Sequence, residues 1–437
     1  MNLDSINFVF LFLPAILLIN FFTPKKYKHL SILIFSLSFF IFLQPQMTPV
    51  LIVFCLSDYV FGYVMSKTQN KIFRTSILVM SILFNVSVFV LSQYLELIPF
   101  IIGVSVVSLV KITYVVSIYL NKISSTDNII VYLCNVLCFP CLIAGPINDY
   151  SDISFRIKNG ERNFSRFGAG ATEFIHGLFK KVVVADNMSV LIFKLSPDGA
   201  IPYDSFGAWF WVIAHLFELT YTLLGYSQMA RGICKMLGFD VKSNFNYPFM
   251  ASSVKEFFRN FNTSLNTFAK KYIYIPLGGS RNGTLCMITS TLAATLLTTI
   301  WYGFSLNTVM CAFYFATIII LEKLLSIGAN KTPKFILTLL TLVFLTPGFL
   351  MLITNEPQDF SYLLSSMLGQ NYALPSTRNS LYYVENFAPF LILGTLLLFS
   401  FSNHIYKRIK KTNKTIYAIS FSIYNLGILA ICLAFMI

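Results

Sequence analysis

Long apolar runs separated by short polar intervals dominate this chain. The first spans Phe8 to Phe22. Others lie near 30–45, 48–65, 75–93, 97–119, 128–146, 168–194, 205–230, 284–302, 304–326, 335–354, 387–403 and 416–437. Roughly 20 apolar residues cross a bilayer as a helix, so the pattern predicts an all-α polytopic membrane protein with about eleven to thirteen membrane segments, some re-entrant. The first run has no basic region before it and no small-residue cleavage site after it, and Lys25, Lys26 and Lys28 follow it. It reads as an anchoring helix with the N-terminus outside.

Basic clusters recur between the runs: Lys67/Lys71/Arg74, Arg156/Lys158/Arg162/Arg166, Lys331/Lys334 and Lys407/Arg408/Lys410/Lys411/Lys414. The positive-inside bias places them on the cytoplasmic side. The stretch 355–386 carries Glu356, Asp359 and Glu385 against Arg378, and is expected to face outward. No repeat and no linker between soluble domains is visible, so residues 1–437 read as one membrane domain.

One interval breaks the pattern. From Gly232 to Gly283 there is no spanning run, and aromatic and polar residues alternate densely. Ser253 followed by Glu256 marks a capping-box helix start. Val254, Phe257, Phe258, Phe261, Leu265 and Phe268 recur at helical spacing, with Lys255, Arg259, Asn260 and Asn266 opposite. This predicts one amphipathic helix, lying in the interface or dipping into the protein. Lys270, Lys271, Tyr272 and Tyr274 follow, and then a loop, Pro276-Leu-Gly-Gly-Ser-Arg-Asn-Gly283, rich in residues that allow positive φ. The loop lacks the spacing and the Lys-Ser/Thr ending of a P-loop.

Composition sharpens the class. Of 437 residues, 56% are hydrophobic and only 11% charged, where a soluble domain carries about 25%. With 45 Phe and a mean hydropathy of +0.71, lipid is the solvent for most of the surface, which excludes a soluble or a disordered protein. The net charge of +14 is then a topology signature, and no nucleic-acid partner is implied. Cys134, Cys138 and Cys141 fall at i, i+4, i+7 without His or carboxylate at ligand spacing. They read as small packing residues, and no metal site is expected.

Several motifs then appear in a familiar order. They are Asn7-Phe-Val-Phe-Leu-Phe-Leu-Pro14, Leu142-Ile-Ala-Gly-Pro-Ile147, Gly177-Leu-Phe-Lys-Lys-Val182 with Ala185-Asp-Asn187, and Gly225-Tyr-Ser227. Asn244-Phe-Asn-Tyr-Pro-Phe249, Val254-Lys-Glu-Phe-Phe-Arg259 and Tyr272-Ile-Tyr-Ile-Pro-Leu-Gly-Gly-Ser-Arg-Asn-Gly283 follow. Over about residues 7–326 the chain resembles the membrane-bound O-acyltransferase (MBOAT) family, in the branch of alginate O-acetylation and D-alanylation of teichoic acids; residues 327–437 add C-terminal membrane helices. The resemblance implies a ring of membrane helices with a central tunnel. It also implies an acyl donor from the cytoplasm, acyl-CoA or an acyl carrier protein, with no bound cofactor. The acceptor would be the hydroxyl of an envelope glycan, the setting the cytoplasmic (inner) membrane, and the partner an extracytoplasmic acyltransferase or a carrier protein.

The resemblance also exposes departures. This branch places a first His in a Trp-Arg-Arg-Trp-His-Ile-Ser-Leu motif and a second in Trp-His-Gly. Here the first reads Phe258-Arg-Asn-Phe-Asn262-Thr-Ser-Leu265 and the second Trp301-Tyr302-Gly303, so Asn262 and Tyr302 occupy the two His positions. Thr222 and Gln228 stand where relatives carry Asp around Gly-Tyr-Ser. A phenol with a pKa near 10 is only about one part in a thousand ionised at neutral pH, so the usual general base is missing. Four His remain. His29, His176 and His404 read as interfacial or structural, whereas His215 lies three residues before Glu218 on one face of a membrane helix, a structural pair or a relocated catalytic dyad. The residues suited to an anionic donor are Arg259, Lys270, Lys271, Tyr274, Gly278, Gly279 and Arg281, with the positive-inside bias as the alternative reading of their charges. Three functions stay open: an O-acyltransferase with altered or impaired chemistry, an inactive MBOAT scaffold binding lipid, donor or partner, and a conduit for substrate.

Overall fold

The computed structural model describes residues 2–94, 99–123, 128–196, 199, 201–202, 204–325, 333–370, 377–399 and 414–436, without the side chains of 377–379 and 414–419. His404, Lys331, Lys407, Arg408, Lys410 and Lys411 lie outside the described residues. Among those described, all regular structure is helical. Six helices are long and apolar enough to cross a membrane: Lys25–Leu43, Thr48–Lys67, Lys71–Gln93, Leu306–Leu324, Lys334–Ile353 and Ser380–Leu398. Shorter apolar helices include Phe8–Phe22, Val104–Tyr119, Ile129–Cys141, Thr284–Ile300 and Ser420–Met436. Phe42, Val53, Leu83 and Val343 point outward, as side chains bathed in lipid do. The chain is an integral membrane protein.

Some predicted runs are subdivided, for local reasons. The run 128–146 is helical only over Ile129–Val136, and a 3-10 turn, Phe139–Cys141, takes over at Pro140, whose ring cannot continue the ladder. The run 97–119 becomes helical at Val104, after Gly103 in the left-handed region at φ +79°. Within 168–194, helix Phe164–Phe179 passes through a π segment, Lys180–Ala185, into helix Asp186–Leu195.

The chain forms two compact units. The first comprises Met1–Leu178 with Tyr226–Ser243. In it, helix Val104–Tyr119 is apolar nearly all round and buried, and Lys111 sits in its middle with no exposure. The Lys111 ammonium donates to the Phe54 carbonyl at 2.5 Å and lies 3.8 Å from the Asp58 carboxylate, itself fully buried. Asp58 in turn accepts from Ser81 Oγ at 2.8 Å and Asn85 Nδ2 at 2.6 Å. Three helices, Thr48–Lys67, Lys71–Gln93 and Val104–Tyr119, are thus joined by one polar network in an apolar interior.

The second unit comprises Phe179–Gly225 with Asn244–Phe435. One of its cores is built on Phe249, Phe257, Phe261, Cys311, Phe315, Leu345 and Phe349. Helices Leu306–Leu324 and Lys334–Ile353 meet there at Gly348, where an added Cβ would stand 2.0 Å from Phe315 Cζ, so only glycine admits the ring.

Removing one member of the buried pair strands the other charge, at a cost of about 3–5 kcal/mol, whereas removing both is far milder. Thermal melting in detergent should therefore show large losses for Lys111→Met and for Asp58→Asn, and a much smaller one for the double substitution. Additive losses would contradict a coupled pair.

Candidate functional site

The predicted amphipathic helix begins where expected. Ser253 Oγ accepts from Glu256 N–H at 3.0 Å, the forward half of a capping box. The return half differs: Glu256 accepts from Ser252 N–H at 2.9 Å and Ser252 Oγ at 2.7 Å. The Ser252 amide holds the Glu256 carboxyl below the usual carboxylate range, against the opposing effect of burial. Glu322 supplies a second cap, accepting from Val254 N–H at 2.7 Å and Lys255 N–H at 3.0 Å. A carboxylate at a helix N-terminus is favoured by both hydrogen bonding and the helix dipole.

The helix does not continue as predicted. It divides into Val254–Asn260 and Thr263–Ala269, with a π turn, Lys270–Tyr274, beyond. The break is at Asn262, whose backbone is left-handed at φ 46° and ψ 58°. Asparagine is one of the few residues with a side chain that visits this region routinely. Backbone groups freed by the break find partners in the Asn-rich segment upstream. Thr263 N–H donates to the Asn244 carbonyl at 2.8 Å, Ser264 N–H to Asn244 Oδ1 at 3.1 Å, and Asn246 N–H to the Asn260 carbonyl at 3.0 Å. Asn266 Nδ2 donates to the Phe261 carbonyl at 2.8 Å.

This geometry brings Asn262 to Tyr302. The Asn262 amide Nδ2 donates to the Tyr302 hydroxyl at 2.9 Å, so two positions 40 residues apart meet directly. Tyr302 follows helix Thr284–Ile300, in the tight turn before helix Leu306–Leu324. Asn262 is 6% exposed, and its Oδ1 is buried without a hydrogen-bond partner. Beside the pair is a cavity of about 20 Å³, lined by Phe257, Phe258, Phe261, Leu265, Asn266, Thr298, Thr299 and Tyr302, with Phe315, Phe349, Leu219 and Leu352. That volume accommodates one or two waters. Half of its lining residues are aromatic: Phe258 meets Phe315 edge-on with centroids 4.9 Å apart, and Phe257 stacks on Phe261 at 5.2 Å.

The other expected pair is not assembled. No hydrogen bond links His215 to Glu218. His215 packs edge-on against Trp211 with centroids 4.2 Å apart and leaves Nε2 buried without a partner, while Glu218 accepts from Thr222 Oγ1 at 3.4 Å. Residues one turn apart share a face, but here that face divides between an aromatic neighbour and a hydroxyl.

The loop residues adopt the conformation their sequence suggests. Gly278, Gly279 and Gly283 have φ of +99°, +53° and +95°. At Gly279 a Cβ would also approach the Tyr274 ring to 2.8 Å. Its N–H donates to Ser290 Oγ at 3.2 Å. Lys270 and Arg281 are exposed, Lys271 lies over the Tyr272 ring at 5.1 Å, and exposed Arg259 bonds Glu256 at 3.2 Å. Lys323 joins this loop, with its ammonium 4.7 Å from the Tyr274 ring centroid and donating to Thr291 Oγ1 at 2.9 Å. Sequence reasoning missed Lys323 and Glu322, and it named Asn244 in a motif and Asn266 on a polar face without giving either a role. The one available signal was the clustering of Asn around 244–266.

The sequence profile of MBOAT, the membrane-bound O-acyltransferase family, matches residues 26–334. A probable alginate O-acetylase of Pseudomonas fluorescens is 29% identical, over 76% of this chain and 68% of that protein. A peptidoglycan O-acetyltransferase of Helicobacter pylori is 25% identical, over 83% of this chain and 79% of its own length. A teichoic acid D-alanyltransferase of Bacillus subtilis is 21% identical, over 32% and 36%.

Asn262→Gly preserves the left-handed turn and should lose only the bond to Tyr302, about 1 kcal/mol. Asn262→Val adds about 1–2 kcal/mol of backbone strain. Melting temperatures should fall in the order wild type, Gly, Val. A Val variant as stable as the Gly variant would contradict a left-handed residue 262.

Proposed function

The chain belongs to the membrane-bound O-acyltransferase family, and from that premise we propose that it serves acyl transfer onto a polymer of the cell envelope while its own centre supplies no general base. The envelope setting is supported by the relatives, whose names are those of alginate and peptidoglycan O-acetylating proteins. The observation that carries the second half is the amide–phenol contact of Asn262 and Tyr302. Base catalysis at a hydroxyl needs a group whose pKa lies near the operating pH. An amide does not titrate, and a phenol near 10 offers about one ionised molecule in a thousand at pH 7. Side by side, the two make a neutral pair that positions itself but accepts no proton.

The same reading assigns the rest of the chain. Lys270 and Arg281, exposed, together with Arg259 and Lys271, suit an anionic donor arriving from the cytoplasm, acyl-CoA or an acyl carrier protein. The acceptor is an envelope glycan, in the cytoplasmic membrane with the N-terminus outside. An extracytoplasmic transferase, or a carrier protein, completes the reaction in this scheme. A scaffold that holds donor or partner without transfer is favoured by the small cavity beside this pair, since ligand pockets run to about 300 Å³ and more.

Acetyl-CoA turnover by the purified chain in lipid nanodiscs tests this reading. Wild type should stay at background, and Asn262→His with Tyr302→His should raise turnover toward the factor of about 10²–10⁴ that a positioned base contributes. Robust wild-type turnover that Tyr302→Phe abolishes would overturn the reading and make the phenol a catalytic group.

A further inference from the structure

The 3-10 turn Phe139–Cys141, in the first unit, brings two thiols together. Cys138 and Cys141 stand three residues apart, and Cys141 N–H donates to the Cys138 carbonyl at 3.0 Å. In a 3-10 turn side chains at i and i+3 eclipse, so both sulfurs fall on one side. Cys234, near the C-terminal end of helix Ser205–Met236, supplies a third, and the three Sγ atoms lie within 4.8 Å of one another. Cys134, predicted to share their face, does not, because the helix ends at Val136. All three thiols are buried, at 3%, 4% and 0% exposure. Asn148 Nδ2 donates to Cys141 Sγ at 3.6 Å and to the Pro146 carbonyl at 2.9 Å, so the turn carries its own outer support.

We propose that Cys138, Cys141 and Cys234 form a site for one soft, thiophilic cation of the Cu(I) or Zn(II) class. Ligands at about 2.3 Å from such an ion stand about 4 Å from each other when three surround it, and the three sulfurs, within 4.8 Å of one another, stand close to that spacing. Three sulfurs with no carboxylate or imidazole among them suit Cu(I), which accepts three-coordination and prefers thiolate, over harder ions. Loading exchanges thiol protons for the cation and ties the turn to Cys234. Because the thiols are enclosed, the ion enters as the first unit folds and serves as a staple rather than a reactive centre.

The test uses the full chain, purified anaerobically in detergent and offered Cu(I) or Zn(II) in turn. One equivalent should be retained against a competing chelator and should raise the melting temperature. Cys138→Ser, Cys141→Ser and Cys234→Ser should each lose it, and Cys134→Ser should keep it. Metal retention in the triple serine variant equal to wild type, or a Cys138–Cys141 disulfide in the intact mass, would overturn the proposal. Should the variants not fold, X-ray absorption on the loaded wild type decides. A first shell of sulfur at about 2.3 Å is expected, and one of oxygen or nitrogen contradicts the site.

Discussion

In hydrocarbon no water is available to take up an unpaired backbone or side-chain dipole, so leaving such a group without a partner inside the protein is costly. That constraint shapes both units. In the first it gathers Lys111, Asp58, Ser81 and Asn85 into one network among otherwise apolar helices. In the second it decides where a helix is allowed to break. Between Asn260 and Thr263 the ladder is interrupted, and Asn244, Asn246 and Asn266 take up the freed groups. The side chains of Asn244 and Asn266 and the main chain of Asn244 and Asn246 thus support the break that stands Asn262 beside Tyr302.

Much of the fold was legible because lipid leaves a coarse signature. The apolar runs, the Ser253 cap and the positive-φ glycines at 278, 279 and 283 all follow from local chemistry. What escaped was non-local. Hydrophobic periodicity runs through Phe257, Phe258, Phe261 and Leu265 without a gap, so the left-handed turn at Asn262 has no counterpart in the pattern. Its support comes from residues up to 20 positions upstream. The Glu322 cap is 68 positions away from Val254. Cys234 is likewise remote from Cys138 and Cys141 in sequence, and only the fold brings it to them. At the candidate site, Asn262 and Tyr302 were each singled out from motif order, as the positions where the resemblance expects His. That they touch was not readable from spacing, and the nearer pair, His215 and Glu218, shares a face yet forms no bond.

The proposed lack of a general base rests on the neutral chemistry of the two side chains that meet at the site. A His has a pKa near 6.5 and exchanges a proton at physiological pH, which an amide and a phenol do not. The Asn262–Tyr302 bond is a polar link between the broken helix and the turn after helix Thr284–Ile300. In the proposed scheme the glycine loop and the exposed Lys270 and Arg281 receive the donor, and a partner completes the transfer.

The most direct measurement is the structure of the chain in lipid nanodiscs at saturating acetyl-CoA. The account predicts that the Asn262 amide and the Tyr302 hydroxyl remain in contact near 2.9 Å, with no acyl group between them. A thioester carbonyl seated between the two side chains, with the contact parted, would contradict it.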